Sequence, residues 1–584
     1  MAEGVKGGKP GATDPSAWKG GLVLLLALVV FFYGLGGLCL TDRDEGEYAT
    51  IVQTMISTGD YVTPQLNFKP YYEKPILYFW LSTLAFKNFG ANEFAIRFWS
   101  ALSGVLVVMA VYVFGRAAGP AGLGFTSALT LLASLLFSLI GRSALLDMTL
   151  TLFISLALFF FYYGWQSFAA GGKKAQGRYF TLFFAFMGLA FLTKGPVGVV
   201  IPLLVVVPFL LLNRSLMPVI RRMPLLIGFS AFLLLAAPWY LLAMLKNGSA
   251  FIDGFFVSQN IRRFTEVLLG HGGGYFYYLP VLILGFFPFF GFAVPTAVRA
   301  VKAIPWQPRQ VTRDNQAAIF CLIWVAAGLI ILSIAQTKQF NYILPIFPPL
   351  AILAGLWWQD YLDGQSKSLW ERRVGVAFVL VPVAILAIAF AALPRFLVSE
   401  QFTQLMAKAN TAKPDSFEYA FGPGDLSFGW VPYLLLLVLP AGGAGFFHFF
   451  QRGQRKHSFI AIIAMSMVFQ ALVFLQLFPT AAAYMQQPAK ELALAIKSGA
   501  RPEAVVATYG LYKPSLFFYV DRPILHIKVP EKDKLKQFLA SRSEAYLLSR
   551  EVFLKELQQD NNFHLLKLAG GYILGYNKRT NMRR

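Results

Sequence analysis

Asp44, Glu45 and Glu47 crowd the start of the segment Thr41–Pro75, and Glu73 and Lys74 close it beside Tyr71 and Tyr72. The segment is charged and turn-rich and separates two apolar regions. Further along stand Asp147, just after Arg142, and Lys194 in the turn Thr193-Lys194-Gly195-Pro196. Arg262 and Arg263 precede His271, and Lys338 precedes Asn341 and Tyr342. Carboxylates and cations gathered at one interface suit a specific chemistry. Lys and Arg bind a phosphate or pyrophosphate through charge-assisted hydrogen bonds. A carboxylate serves as general base on a hydroxyl nucleophile. In a membrane, that combination implies a lipid-phosphate substrate: a lipid-linked sugar with its tail in the bilayer and its headgroup in an outer cavity.

Each residue also has a plainer reading. Asp44 and Glu45 would form a solvated juxtamembrane pair, and Lys74 would snorkel from the interface. Lys194 and Lys338 would simply end spans, Asp147 would pair with Arg142, and Arg262 and Arg263 would face lipid headgroups. His271 would belong to a flexible loop and Tyr275–Tyr278 to an aromatic belt. Two arguments favour function. Lys194 and Lys338 stand on the side where the positive-inside rule disfavours lysine. An acid at the head of a span is costly unless paired or wet.

The elements that must position these groups are membrane helices. The chain is 57% hydrophobic and only 14% charged, with mean hydropathy +0.57. Soluble proteins average about 25% charged. We expect about thirteen spans of roughly 20 residues: 20–40, 95–115, 119–138, 145–165, 178–193, 196–213, 222–245, 275–298, 316–336, 340–358, 373–394, 428–449 and 457–478. Ile76–Phe89 is shorter and amphipathic, which suits an interfacial helix. With the N-terminus inside, each inner loop is basic: Arg116; Lys173, Lys174 and Arg178; Arg214, Arg221 and Arg222; Arg299, Lys302, Arg309 and Arg313; Lys367, Arg372 and Arg373; Arg452, Arg455 and Lys456. That arrangement puts the first loop, 41–94, on the outer side together with Asp147, Lys194, Arg262, Arg263 and Lys338. The net charge of +22 therefore reports membrane topology, because the basic residues are dispersed among spans and form no single face for nucleic acid. The two cysteines lie in apolar runs and imply neither a disulfide framework nor a thiolate metal cluster.

Beyond about Ala481 the composition becomes mixed. Pro488–Lys497 and Lys532–Ser541 read as helices, Ala504–Tyr509 and Ala545–Leu548 as strands, and Glu551–Gln558 as a helix. His564–Tyr576 reads as a strand pair turned at Gly570-Gly571. This predicts a small outer α/β domain over 481–584 with a core of its own, following a short cytoplasmic tail, 1–19, and a membrane domain, 20–480.

The run DEGEYA…GDYVTPQLNFKPYYEKP resembles the first outer loop of the ArnT-like, protein-mannosyltransferase-related membrane glycosyltransferases of the GT-C fold. The resemblance extends over nearly the whole chain. It takes in GRSALLDMTL at 141–150, FLTKGPVG at 191–198, FFVSQNIRRF…GHGGGYFYYLPVL at 255–282 and QTKQFNYILPIFPPLAIL at 336–353. It implies a mainly α, polytopic GT-C fold and inverting transfer of a sugar from a polyprenyl phosphate carrier. The residue matching Asp44 would be the catalytic base, Lys74 a ligand of the donor phosphate, Asp147 a second active-site carboxylate and Glu73 a contributor to a divalent metal site. The chain departs from the lipid A-modifying pattern at two places. Glu47 replaces an Arg of a DExRYA motif, so that a phosphate contact is either missing or supplied by Arg262, Arg263 or Lys338. Gln259-Asn260 stands where Glu-His is usual, which argues against a metal.

The resulting expectation is a polyprenyl (undecaprenyl) phosphate-sugar-dependent glycosyltransferase of a bacterial inner membrane, with its site and C-terminus on the periplasmic side. The substrate-binding set is Glu45, Tyr71, Lys74, Lys194, Arg262, Arg263, Lys338 and Tyr342, and the expected partners are the sugar donor, a lipid or glycan acceptor and membrane lipids. Lipid A is the first acceptor, with protein O-mannosyltransferase-like or other glycan-modifying transfer as the alternative. A transporter or flippase would show inverted repeats and paired broken spans near midplane, neither of which the sequence displays, and its polar groups would line a path instead of crowding one face. A scaffold role would leave the outer polar cluster unexplained.

Overall fold

The computed structural model describes residues 17–268, 270–304, 313–365, 368–405 and 426–577. Arg309 and Lys367 of the expected inner loops, and most of the expected tail 1–19, lie outside them. The chain opens with the apolar helix α1 (Ala17–Phe32), followed by α2 (Asp44–Thr58), a two-residue hairpin of β1 (Gln65–Leu66) and β2 (Lys69–Pro70), and α3 (Leu77–Phe89). Long apolar helices come next: α4 (Glu93–Ala118), the bent pair α5 (Leu123–Leu132) and α6 (Leu135–Gly141), α7 (Leu146–Ala169), α8 (Lys173–Lys194), and α9 (Val197–Leu212) with its bent continuation α10 (Leu216–Arg222). Then comes α11 (Leu225–Asn247). Among the described residues, nine helices are long and apolar enough to cross a membrane, or up to 12 if each of three bent pairs counts as one span. The chain is therefore a polytopic helical membrane protein. Prolines 202 and 208 lie inside α9, where a bilayer-embedded helix tolerates them because neighbouring groups re-satisfy the freed carbonyls.

Alternation of helix direction puts the start of α7 beside the end of α8 and the end of α11 near the first loop. Lys246 at the end of α11 pairs with Asp60 at 2.8 Å, and Trp239 donates to the Val62 carbonyl at 2.9 Å. The first loop is less turn-rich than its polar composition suggests, because Asp44–Thr58 is helical. Three acids in its first turn favour a helix N-terminus, and Gly59, with φ +70, terminates it.

The C-terminal region forms a five-stranded sheet in the order β4 (Ile524–Ile527), β3 (Val505–Tyr509), β5 (Ala545–Arg550), β7 (Tyr572–Asn577), β6 (Phe563–Ala569). β3 runs parallel to β4 and β5, and β7 is antiparallel to β5 and β6. The sequence reading omits β4 and the preceding helix Pro514–Val520, whose seven residues are too few for a periodic signal. The expected private core is only half of what the sheet buries. Ala507, Tyr509, Leu547 and Ile573 pack with Leu535 and Phe538 of Lys532–Leu539. On the other side, Val506, Tyr546, Leu548 and Tyr572 join Tyr48, Ile51, Val52 and Tyr78 of α2 and α3 in one cluster.

Candidate functional site

Two helix termini meet at the site. Asp147 lies in the first turn of α7 and Lys194 in the last turn of α8, the positions where a helix dipole favours an anion and a cation respectively. Gly195, with φ +74, ends α8 and donates to the Phe191 carbonyl at 2.7 Å. The Lys194 ammonium donates to Asp147 Oδ1 at 2.5 Å, and Asn341 Nδ2 donates to Asp147 Oδ2 at 2.8 Å. Both oxygens of this buried acid are engaged, which suits orienting Lys194 better than accepting a substrate proton. Tyr342 lies under Lys194, with the ammonium 4.2 Å from its ring centroid. Arg142 is not Asp147's partner. It donates instead to the Val30 and Tyr33 carbonyls at the end of α1.

Above this pair opens a cavity of about 450 Å³. Its polar wall carries Glu73, Lys74, Lys194, Gln259, Asn260 and Arg263, and its apolar wall is built from α9 and the helix Arg313–Ile334. Lys74 is buried and makes no ion pair among the described residues. Burial, together with the positive charges of Arg263 and Lys194, pushes it down from 10.5 to about 8, against the pull of Glu73 and Asp44. Arg263 has its Nε buried without a hydrogen-bond partner. The cavity is therefore short of negative charge at its head and apolar along its side.

Behind Lys74 lies a carboxylate group. Asp44 accepts a hydrogen bond from the Tyr48 hydroxyl at 3.3 Å. Arg43 before it has φ +67 and ψ −116, a conformation that costs a non-glycine residue about 1–3 kcal/mol and persists where its flanks hold it. The Tyr71 hydroxyl reaches Glu47 at 3.5 Å. Burial, then the charges of Glu73 and Asp44, push Glu47 up from 4.5 to about 7.

Four residues expected to bind substrate lie off the cavity wall: Tyr71, whose hydroxyl meets Glu47, and Glu45, Arg262 and Lys338. Glu45 is buried and bidentate to Arg97, at 2.8 Å and 2.7 Å. It also accepts from Thr41 N and Ala144 N, so its lone pairs are spent as a strut between α2, α4 and the 141–145 turn. Arg262 is exposed and pairs with Glu266 one helical turn on at 3.2 Å. Lys338 turns its ammonium to the Ala335 carbonyl, off the cavity wall. Of Arg262, Arg263 and Lys338, the residues expected to replace the missing Arg, Arg263 alone faces the cavity.

The donor set does not fit a divalent metal. Among the described residues no three His, Cys, Asp or Glu side chains converge as metal ligands. The neighbours of Glu73 on the cavity wall include the neutral amides Gln259 and Asn260, and Asn260 Nδ2 is spent on the Phe255 carbonyl at 2.7 Å.

The family model described as dolichyl-phosphate-mannose-protein mannosyltransferase matches residues 73–241. An undecaprenyl phosphate-alpha-4-amino-4-deoxy-L-arabinose arabinosyl transferase from Aeromonas hydrophila is 33% identical over 372 residues, which cover 62% of this chain and 65% of that protein. The protein of the same name from Pectobacterium atrosepticum is 32% identical over 396 residues, covering 66% of this chain and 67% of its own length. The chain belongs to the ArnT-like family of GT-C membrane glycosyltransferases. Its fold matches the crystal structure of ArnT from Cupriavidus metallidurans bound to undecaprenyl phosphate, with TM-score 0.77 over 97% of this chain and 98% of that one, at 23% identity. The fold likeness thus includes the C-terminal sheet, whereas the sequence likeness spans 65% of the Aeromonas relative.

Within this ArnT-like chain, sequence reasoning names the cavity cations but leaves Gln259 and Asn341 without a site role. Asn341 stands next to Tyr342 at the mouth of a span, a signal that would justify including it. Arg97 reads as an ordinary residue near the start of a span, and its bond to Glu45 joins positions 52 residues apart.

Proposed function

We propose that the protein transfers a sugar from a polyprenyl phosphate carrier to an envelope acceptor, with inversion at the anomeric carbon. The observation that carries this reading is the cavity in which Lys74 and Arg263 face one space without carboxylate partners while its other wall is apolar. That pairing suits a phosphate head on a hydrocarbon tail. Asp44 takes the proton of the acceptor hydroxyl as its oxygen attacks the anomeric carbon. The bond from that carbon to the phosphate oxygen breaks, and the electron pair leaves with the polyprenyl phosphate. Lys74, Arg263 and the oriented Lys194 stabilise the charge that develops there.

The relatives' name supports undecaprenyl phosphate as carrier and an aminopentose as sugar. Lipid A is the acceptor we favour, in a bacterial inner membrane with the site on the periplasmic face, where the basic loops leave it. The test is transfer by purified wild type, Asp44→Asn and Lys74→Ala from undecaprenyl-phosphate sugars, with mass spectrometry of lipid A from a deletion strain. We expect no turnover in Asp44→Asn and weak donor use in Lys74→Ala. Wild-type rates in both variants would overturn the mechanism.

A further inference from the structure

The few residues leading into Asp44 are pinned from two sides. The membrane side holds them through Glu45 and Arg97. From the other side, the loop after β3 closes on them. Lys513 forms an ion pair with Asp42 in which both side chains are 0% exposed. Asp42 Oδ1 accepts from Ser515 Oγ at 2.6 Å, and Lys513 also donates to Gln486 at 3.2 Å. Gly46 sits so near this loop that a Cβ there would lie 2.4 Å from the Ser515 backbone nitrogen. Any larger residue would push α2 and the loop apart. Arg43, between Asp42 and Asp44, holds its left-handed φ inside this vice.

A fully buried ion pair is weak evidence for net stability, since desolvation offsets most of its attraction. It does fix direction, because both charges must face each other. We propose that Lys513 is a positioning residue for the transfer reaction: through Asp42 it sets where Asp44, which lies behind Lys74 and off the cavity wall, holds its carboxylate. The inference rests on Asp44 being the base. It makes the segment between β3 and β4 a support for the active site, although none of its residues lines the cavity. A misplacement of about 1 Å in a reacting group costs on the order of 100-fold in rate.

The test uses the full-length protein in detergent, with undecaprenyl phosphate as binding probe and the donor that the wild type consumes as substrate. Lys513→Met leaves Asp42 buried and unpaired, whereas Lys513→Met with Asp42→Asn removes both charges. We expect the double variant to melt close to wild type, to bind undecaprenyl phosphate with Kd within about twofold, and to lose about 10–100-fold in kcat. A double variant with wild-type kcat overturns the proposal, as does a kcat loss that only parallels lost folding and lost binding. If neither Lys513 variant folds, Asp42→Asn with Lys513 intact decides, since it removes the ion pair and keeps an acceptor for Ser515: a kcat loss at unchanged Kd supports positioning, and unchanged kcat overturns it. Asp44→Asn separates the two levels. Wild-type kcat in that variant overturns the base and this inference with it. An inactive Asp44→Asn beside fully active Lys513 variants overturns positioning alone.

Discussion

Asp147 accepts a 2.5 Å hydrogen bond from the Lys194 ammonium, tying the first turn of α7 to the last turn of α8 at the floor of the cavity. The two substitutions of this pair should differ. Lys194→Ala strands a buried carboxylate with only Asn341 to satisfy it, a type of change that costs about 3–5 kcal/mol, and it also removes the phosphate contact proposed for Lys194. Asp147→Asn removes the charge and leaves Lys194 facing the cavity. We expect a lower melting temperature and weaker undecaprenyl phosphate binding for Lys194→Ala, and retained binding for Asp147→Asn. Thermal melts with binding measurements check both. An Asp147→Asn that binds normally but cannot turn over would show that Asp147 takes part in the chemistry itself.

Lys74 should make donor binding sensitive to mildly alkaline pH. Burial, together with the charges of Arg263 and Lys194, holds it at about 8. Below that pH the ammonium is charged and attracts phosphate, and above it the free site loses a cation. A phosphodiester donor keeps its single charge throughout, so the dependence belongs to the protein. We expect donor Kd to rise from about pH 7 upward in the wild type, as Glu47 ionises and Lys74 then loses its proton, and to be weaker but flat over pH 7–9 once Lys74→Met is combined with Glu47→Gln. A flat wild-type profile would place the phosphate elsewhere.

The convergence of Lys74, Lys194, Arg263 and Tyr342 was legible because each stands at a span end or in an outer loop, and alternating topology forces such residues to one face. Partners were not legible. Nothing in the first loop distinguishes Glu45, which is locked to Arg97, from Glu47, which is not, because the difference is made by α4 crossing behind α2. Arg262 and Arg263 are adjacent in sequence, and the turn of the helical backbone sends one to solvent and the other to the cavity. The Asp42–Lys513 pair links positions at opposite ends of the chain, and no local pattern records it.

The Glu45–Arg97 strut should appear in stability measurements. Arg97 brings both its charge and its hydrogen bonds to Glu45, and these outweigh burial and hold the carboxyl below its ordinary value of 4.5. A depressed acid contributes stability above its unfolded value, and that contribution is lost as pH falls through the folded value. Arg97→Met leaves Glu45 buried without a cation and should cost about 3–5 kcal/mol. Arg97→Met combined with Glu45→Gln should recover part of that loss. Melting temperatures of the two variants and wild type at neutral pH test this, and equal values for single and double variants would mean that the pair is not coupled.

Glu47 carries the opposite sign. Burial and the carboxylates of Glu73 and Asp44 push it from 4.5 to about 7, so the folded state holds its proton more tightly than the unfolded state does. Below about pH 4.5 both states are protonated and the shift has no effect on stability. Between there and about 7 the unfolded state ionises first, stability falls as pH rises, and the penalty is constant above that range. Glu47→Gln keeps the shape and cannot ionise. It should melt with the wild type near pH 4 and above it at pH 8. The substitution also removes an anion from the neighbourhood of Lys74 and the donor phosphate, so undecaprenyl phosphate should bind more tightly than to wild type at pH 8 and about equally at pH 6. Melting curves that run parallel from pH 4 to 8 would show a solvated Glu47 with no such proton.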